Sequence, residues 1–134
     1  MYIPQEWRCD SARWNMLKYY ALSYPKWINE VNDIKLEYRA ACGVMGSGGD
    51  GASEVERKVE RIEKLRENIE LIERCCRKAT EQKSNVYYYA LLTAVTTQIP
   101  ISHIPSPIGR RQMFTYKREF YYLLDDELSK KNIL

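Results

Sequence analysis

The side chains best suited to contact chemistry lie close together near the end of the chain. Arg110, Arg111, Gln112, Thr115, Lys117 and Arg118 place four cations, a carboxamide and a hydroxyl within nine residues. From Ile99 to Phe120 there are four basic residues and one acidic residue, the strongest local charge asymmetry in the chain. At about 100° per residue, Met113, Tyr116, Phe120 and Leu124 fall on one side of a helix, and Arg111, Thr115, Arg118 and Tyr122 on the opposite side. Arg110 and Lys117 flank that second face. Forked guanidinium donors suit guanine edges and phosphates, a carboxamide suits adenine, and a small hydroxyl fits between them. The same residues would equally serve as an ordinary solvated face.

Catalysis finds much less to work with. Acid–base or nucleophilic chemistry needs a nucleophile beside a base, paired carboxylates, or metal ligands. His103 is the sole histidine, in a proline-rich turn between two isoleucines, and reads as a half-buried turn residue. Asp125, Asp126 and Glu127 are consecutive, so on a helix they point in different directions and read as solubilising its end. Cys9, Cys42, Cys75 and Cys76 lack C-x-x-C spacing and read as buried thiols. Gly46, Gly48 and Gly51 spell G-x-G-x-x-G, but a helical pattern precedes them instead of a strand, so they read as a connector. No catalytic residue, metal or cofactor is expected, and the chain does not read as an enzyme.

The surrounding elements are helical. With 134 residues, 45% hydrophobic and 29% charged, the chain suits one modest core, and its net charge of +3 leaves the distribution of charge to decide on partners. The longest apolar run, Val86 to Val95, is too short to span a bilayer, and no secretory signal follows Met1, so a cytoplasmic, non-membrane protein is expected. Residues 54–83 interleave eight acidic and nine basic side chains with an apolar seam: Val55, Ile62, Ile69 and Cys76 every seven residues, with Leu65, Ile72 and Ala79 three positions after the last three. Ser53 is placed to cap this helix. Upstream, Trp14, Leu17 and Ala21, then Trp27 or Ile28, Val31, Ile34, Tyr38 and Ala41, form two runs spaced at threes and fours. Pro25 splits that pattern into two helices meeting at a kink, with Ser23 as a possible cap. Spans of 32 residues (Ser11 to Cys42) and 30 residues (Ser53 to Gln82) match in length and predict an antiparallel hairpin with a flexible glycine-rich tip over 43–53. Asn85–Thr97 predicts a further helix with Val86, Tyr89, Ala90, Leu92 and Val95 inward. Pro100, Pro105 and Pro107 leave at most one turn over Ile101–Ile104, and Ser106-Pro107 opens a last helix running to Lys130.

The second half resembles a family of small phage- and prophage-encoded late-transcription regulators of low-GC Gram-positive bacteria, the RinA and ArpU type. The resemblance rests on residues 89–96 (YALLTAVT), residues 104–114 (IPSPIGRRQMF) and residues 116–124 (YKREFYYLL). Family members tend to show an aromatic pair, a basic pair and a second aromatic pair; Met113-Phe114, Lys117-Arg118 and Phe120-Tyr121 take those places, with Met113 as a departure. The glycine-rich break at Gly46 to Ser53 also resembles the family. The resemblance implies a sigma-factor-like helix-turn-helix. The expectation is an all-α protein: residues 1–83 a long antiparallel helical hairpin for dimerisation or docking, and residues 84–134 a helix-turn-helix-like region that binds double-stranded DNA. Arg110, Arg111, Gln112, Thr115, Lys117 and Arg118 would make the DNA contacts. A homodimer in a bacterial host cell, in contact with host transcription machinery, fits that reading. The alternative is a helical interaction module, a phage assembly or packaging subunit or an inhibitor of a host protein, with Trp7, Trp14 and Trp27 as anchors.

Overall fold

In the computed structural model the Asp10 carboxylate accepts the Arg13 N–H at 2.8 Å, and this cap opens helix α1, Ser11–Leu22. The structure describes residues 3, 7, 9–42, 51–81 and 84–131. Four longer or equal helices follow: α2, Tyr24–Cys42; α3, Gly51–Ala79; α4, Asn85–Thr96; and α5, Arg110–Lys130, with one 3-10 turn at Ile101–His103. The fold is all-helical, with no strand among the described residues. No helix among them is long and apolar enough to cross a membrane.

Pro25 lies in the first turn of α2, where a missing N–H costs nothing. Ser23 does not cap α2, however. Its hydroxyl donates back to the Tyr19 carbonyl at 2.8 Å and closes α1 instead. Helix α3 begins at Gly51, ahead of the expected Ser53; the remainder of the glycine-rich tip, 43–50, and the Ser53 side chain lie outside the described residues. At its other end α3 stops at Ala79, short of Gln82, because Glu81 takes φ 54° and the Thr80 hydroxyl donates to the Cys76 carbonyl.

The contacts divide the chain into two compact units, residues 24–70 and residues 1–23 with 71–134. This differs from the expected boundary after residue 83, because α1 touches α4 and α5 and shares their core. In the 24–70 unit, α2 and α3 run antiparallel: Arg61 forks onto Glu30 at 2.9 and 3.2 Å, and Lys58 reaches Glu37 at 3.8 Å. Val31 and Leu65 are buried between them, with Val55, Ile62 and Ile69 half-buried on the expected seam.

In the other unit the core is built from Leu17 and Ala21 of α1, Ile72, Cys76 and Ala79 of α3, Leu91 and Val95 of α4, and Met113, Phe120 and Leu124 of α5. On α4 the buried stripe is Tyr88, Leu91 and Val95; Val86 and Tyr89, expected inward, are exposed. Ala90 and Val95 are buried as expected and Leu92 is half-buried; the buried face is turned toward Tyr88, Leu91 and Ala94, since spacing alone cannot choose between neighbouring stripes of an almost wholly apolar helix. Helices α1 and α5 run antiparallel. Trp14 meets Tyr121 at a tilt of 55° with ring centres 4.8 Å apart, Trp7 meets Tyr122 edge-on at 5.5 Å, and the buried Asp125 carboxylate accepts hydrogen bonds from Trp7 Nε1 at 2.8 Å and Arg13 Nε at 2.6 Å. The Arg13 Nη2 group donates to Ser129 Oγ at 2.7 Å. The acidic triplet is thus not a solubilising end. Asp125 is structural, Glu127 pairs with Arg74 of α3 at 3.3 Å, and only Asp126, with Lys130, stays on the exposed surface.

Two stability predictions follow from this arrangement. Asp125→Ala leaves the indole N–H and a guanidinium without their shared acceptor and should cost about 2 kcal/mol in urea unfolding at pH 7. Burial pushes the Cys75 thiol up to about 12 and Cys76 well above its ordinary value, so both should resist iodoacetamide in the native protein and react once it is unfolded, while Cys9, half-buried and also raised by burial, labels before these two.

Candidate nucleic-acid interface

The start of α5 is set by its lead-in. Pro105 and Pro107 hold the backbone before them extended, the Ile108 N–H donates to Ser106 Oγ at 3.0 Å, and the buried Ile108 side chain anchors the turn. Gly109 is then the extended N-cap, without a side-chain cap, and the helix begins at Arg110 instead of Pro107. The Ser106 hydroxyl is spent inside the turn and cannot cap the helix. His103 is exposed in the 3-10 turn, not half-buried.

From this start, Met113, Tyr116, Phe120 and Leu124 all face the core, as their spacing predicts. Tyr87 of α4 meets Tyr116 edge-on at 6.3 Å, and Trp14 of α1 lies on Tyr121, so neighbours grip the helix on both flanks. The outer face carries Arg110, Arg111, Gln112, Thr115 and Arg118, all exposed, while Lys117 is half-buried toward α1. These six residues differ in what they have free. Gln112 Nε2 donates to the Tyr116 hydroxyl at 2.9 Å, and the Thr115 hydroxyl donates to the Arg111 carbonyl at 3.2 Å, so both commit a proton within the helix. Arg110 lies over the exposed Phe114 ring at 5.8 Å. Arg111 and Arg118 meet no carboxylate among the described residues, in contrast to Arg13, Arg61 and Arg74.

Two contributors were invisible in the sequence pattern. Lys18 of α1 stands beside Lys117; burial, and then this neighbouring ammonium, hold Lys117 below the usual lysine range. Phe114 is the second, half exposed beneath Arg110. Lys18 could not be found without the pairing of α1 with α5, whereas Phe114 lies four residues from Arg110 on α5 itself. Chemically, the face offers cationic and N–H donors and a flat aromatic surface, a set that binds anions.

The segment joining α4 to α5 runs from Thr97 to Gly109, far longer than the three or four residues of a helix-turn-helix. The expected motif is present only as helix order, because three prolines and the 3-10 turn fill the space a tight turn would close. Compared with known proteins, the chain matches no family model, no curated protein and no solved structure.

On the core side of α5, Glu119 is 8% exposed and its Oε2 has no hydrogen-bond partner among the described residues. Burial pushes its carboxyl above the usual range. A raised folded-state value means stability is fully present below the ordinary carboxyl range and declines as pH rises through the raised value. Glu119→Gln should therefore gain stability relative to the native protein on going from pH 4 to pH 7, measured by urea midpoints at both pH values.

Proposed function

We propose that this chain is a non-enzymatic, phage- or prophage-type transcriptional regulator that binds double-stranded DNA through the amino-terminal half of α5. The observation that supports it is the row of Arg111 and Arg118, exposed and unmatched by any described carboxylate, on a helix whose other face is locked in the core. Between Arg110 and Arg118 there is no acidic residue, so the outer face keeps its positive field. Guanidinium groups on that row reach phosphates or guanine edges, Arg110 and Lys117 hold the backbone at the flank, and Gln112 and Thr115 contribute with the hydrogen-bonding capacity left after their internal bonds. The resemblance to the RinA and ArpU regulators points the same way, with the α2–α3 hairpin serving homodimerisation or contact with host transcription machinery.

A second reading, a protein-interaction module, is favoured by the cleft between α2 and α3. Its floor is Ile34, Tyr38, Val55, Val59 and Ile62, with Lys35, Arg39 and Lys58 around it. Salt separates the two readings: binding through phosphates weakens steeply as salt rises, whereas a packed apolar interface changes little.

The direct test is Arg111→Ala with Arg118→Ala. The double variant should lose its gel shift on duplex DNA while melting within about 2 °C of the native protein, as exposed residues without partners carry little stability. Unchanged duplex binding in that variant would remove the assignment.

A further inference from the structure

We propose that Lys18 of α1 and Lys117 of α5 together hold a phosphate group of a nucleic-acid backbone, extending the DNA-facing surface from α5 onto α1. This rests on the reading of α5 given above. It starts from the seam between the two helices, where the rungs from Trp7 to Trp14 are attractive: Trp7 and Arg13 share Asp125, and Trp14 lies on Tyr121. Four residues on from Trp14 along α1 and four back from Tyr121 along α5, the antiparallel register set by that ring contact brings Lys18 against Lys117, and like charges face each other.

Among the described residues of α1, α4 and α5, nothing offsets them. Helix α1 has no acidic residue from Ser11 to Leu22, α4 has no charged residue, and α5 has none that is acidic from Arg110 to Arg118. Glu119 is about 200° around α5 from Lys117, at about 100° per residue, and Asp125 is occupied by Trp7 and Arg13. Lys117 is half-buried, and Lys18 Nζ sits 5.3 Å from the centre of the Trp14 ring, which steadies it beside its neighbour. A half-buried ammonium, Lys117, beside an exposed one, Lys18, with no acidic partner among the described residues, forms a site for a compact anion with several acceptor oxygens, which is the chemistry of phosphate.

The same flank of α5 continues through Phe114 to Arg110, seven residues back and about 10 Å away at about 1.5 Å per residue. A line of cations at that spacing suits a polymer of phosphates better than a lone ion. On a helix whose outer face meets base edges, this flank is where one strand's backbone would pass.

The experiment measures affinity for a random-sequence duplex by fluorescence anisotropy over a range of salt concentrations, and follows the lysine Cε signals by NMR during titration with inorganic pyrophosphate. Lys18→Gln should lower the slope of log affinity against log salt by about 1, and Lys18→Gln with Lys117→Gln by about 2. Lys18→Arg should keep the native slope, and pyrophosphate should move the Lys18 and Lys117 signals together. A Lys18→Gln protein that binds the duplex with the native slope, with the Lys117 signal unmoved by pyrophosphate in the native chain, would overturn the phosphate site and leave the DNA reading intact. A native protein that ignores the duplex while both lysine signals still respond to pyrophosphate would end the DNA reading and, with it, overturn the nucleic-acid backbone as the occupant, leaving a site for free phosphate only.

Discussion

One carboxylate ties the beginning of the described chain to its end. Asp125 is buried, and burying a charge is costly unless donors surround it. Here the indole of Trp7 and the guanidinium of Arg13 supply those donors. The contact sets the register between α1 and α5, which in turn places Trp14 on Tyr121 and brings Lys18 beside Lys117. Without it α5 would be held mainly by α4 and the end of α3, and its outer face would have only one defined flank.

The second constraint is the double duty of α5. One stripe carries the largest share of the buried aromatic surface, Tyr116, Phe120 and Tyr121, and the opposite stripe carries the guanidinium row. A helix gripped this firmly cannot rotate to hide its arginines, so their exposure follows from the packing of Met113, Phe120 and Leu124. The hydroxyl of Thr115 and the amide of Gln112, by contrast, are partly spent on internal bonds. The rigid face is therefore dominated by charge, and the polar reading groups on it are few.

Much of this was legible in the sequence because it depends on local periodicity. The core stripe of α5, the seam of α3 and the break at Pro25 all follow from 3.6-residue spacing and proline chemistry, and each side chain falls where that spacing puts it. What could not be read depends on neighbours distant in sequence. Asp125 looks like a surface acid until Trp7 and Arg13 arrive, and Ser106 looks like a helix cap until Ile108 takes its oxygen. Helix α4 is apolar nearly all round, so its phase was decided by what packs on it, leaving Val86 and Tyr89 outside. The candidate interface was half legible for the same reason: its arginines lie in one helix, whereas Lys18 comes from another.

The seam between α1 and α5 also bears on how the protein is made. Trp7 and Asp125 are separated by 118 positions and Arg13 and Asp125 by 112, so the earliest helix leaves the ribosome long before its partner exists. During translation α1 must wait with Leu17 and Trp14 uncovered, while the hairpin of α2 and α3 needs only a short closing segment. Closing so large a loop late is entropically slow, and it leaves the seam face of α1 uncovered until α5 has been made.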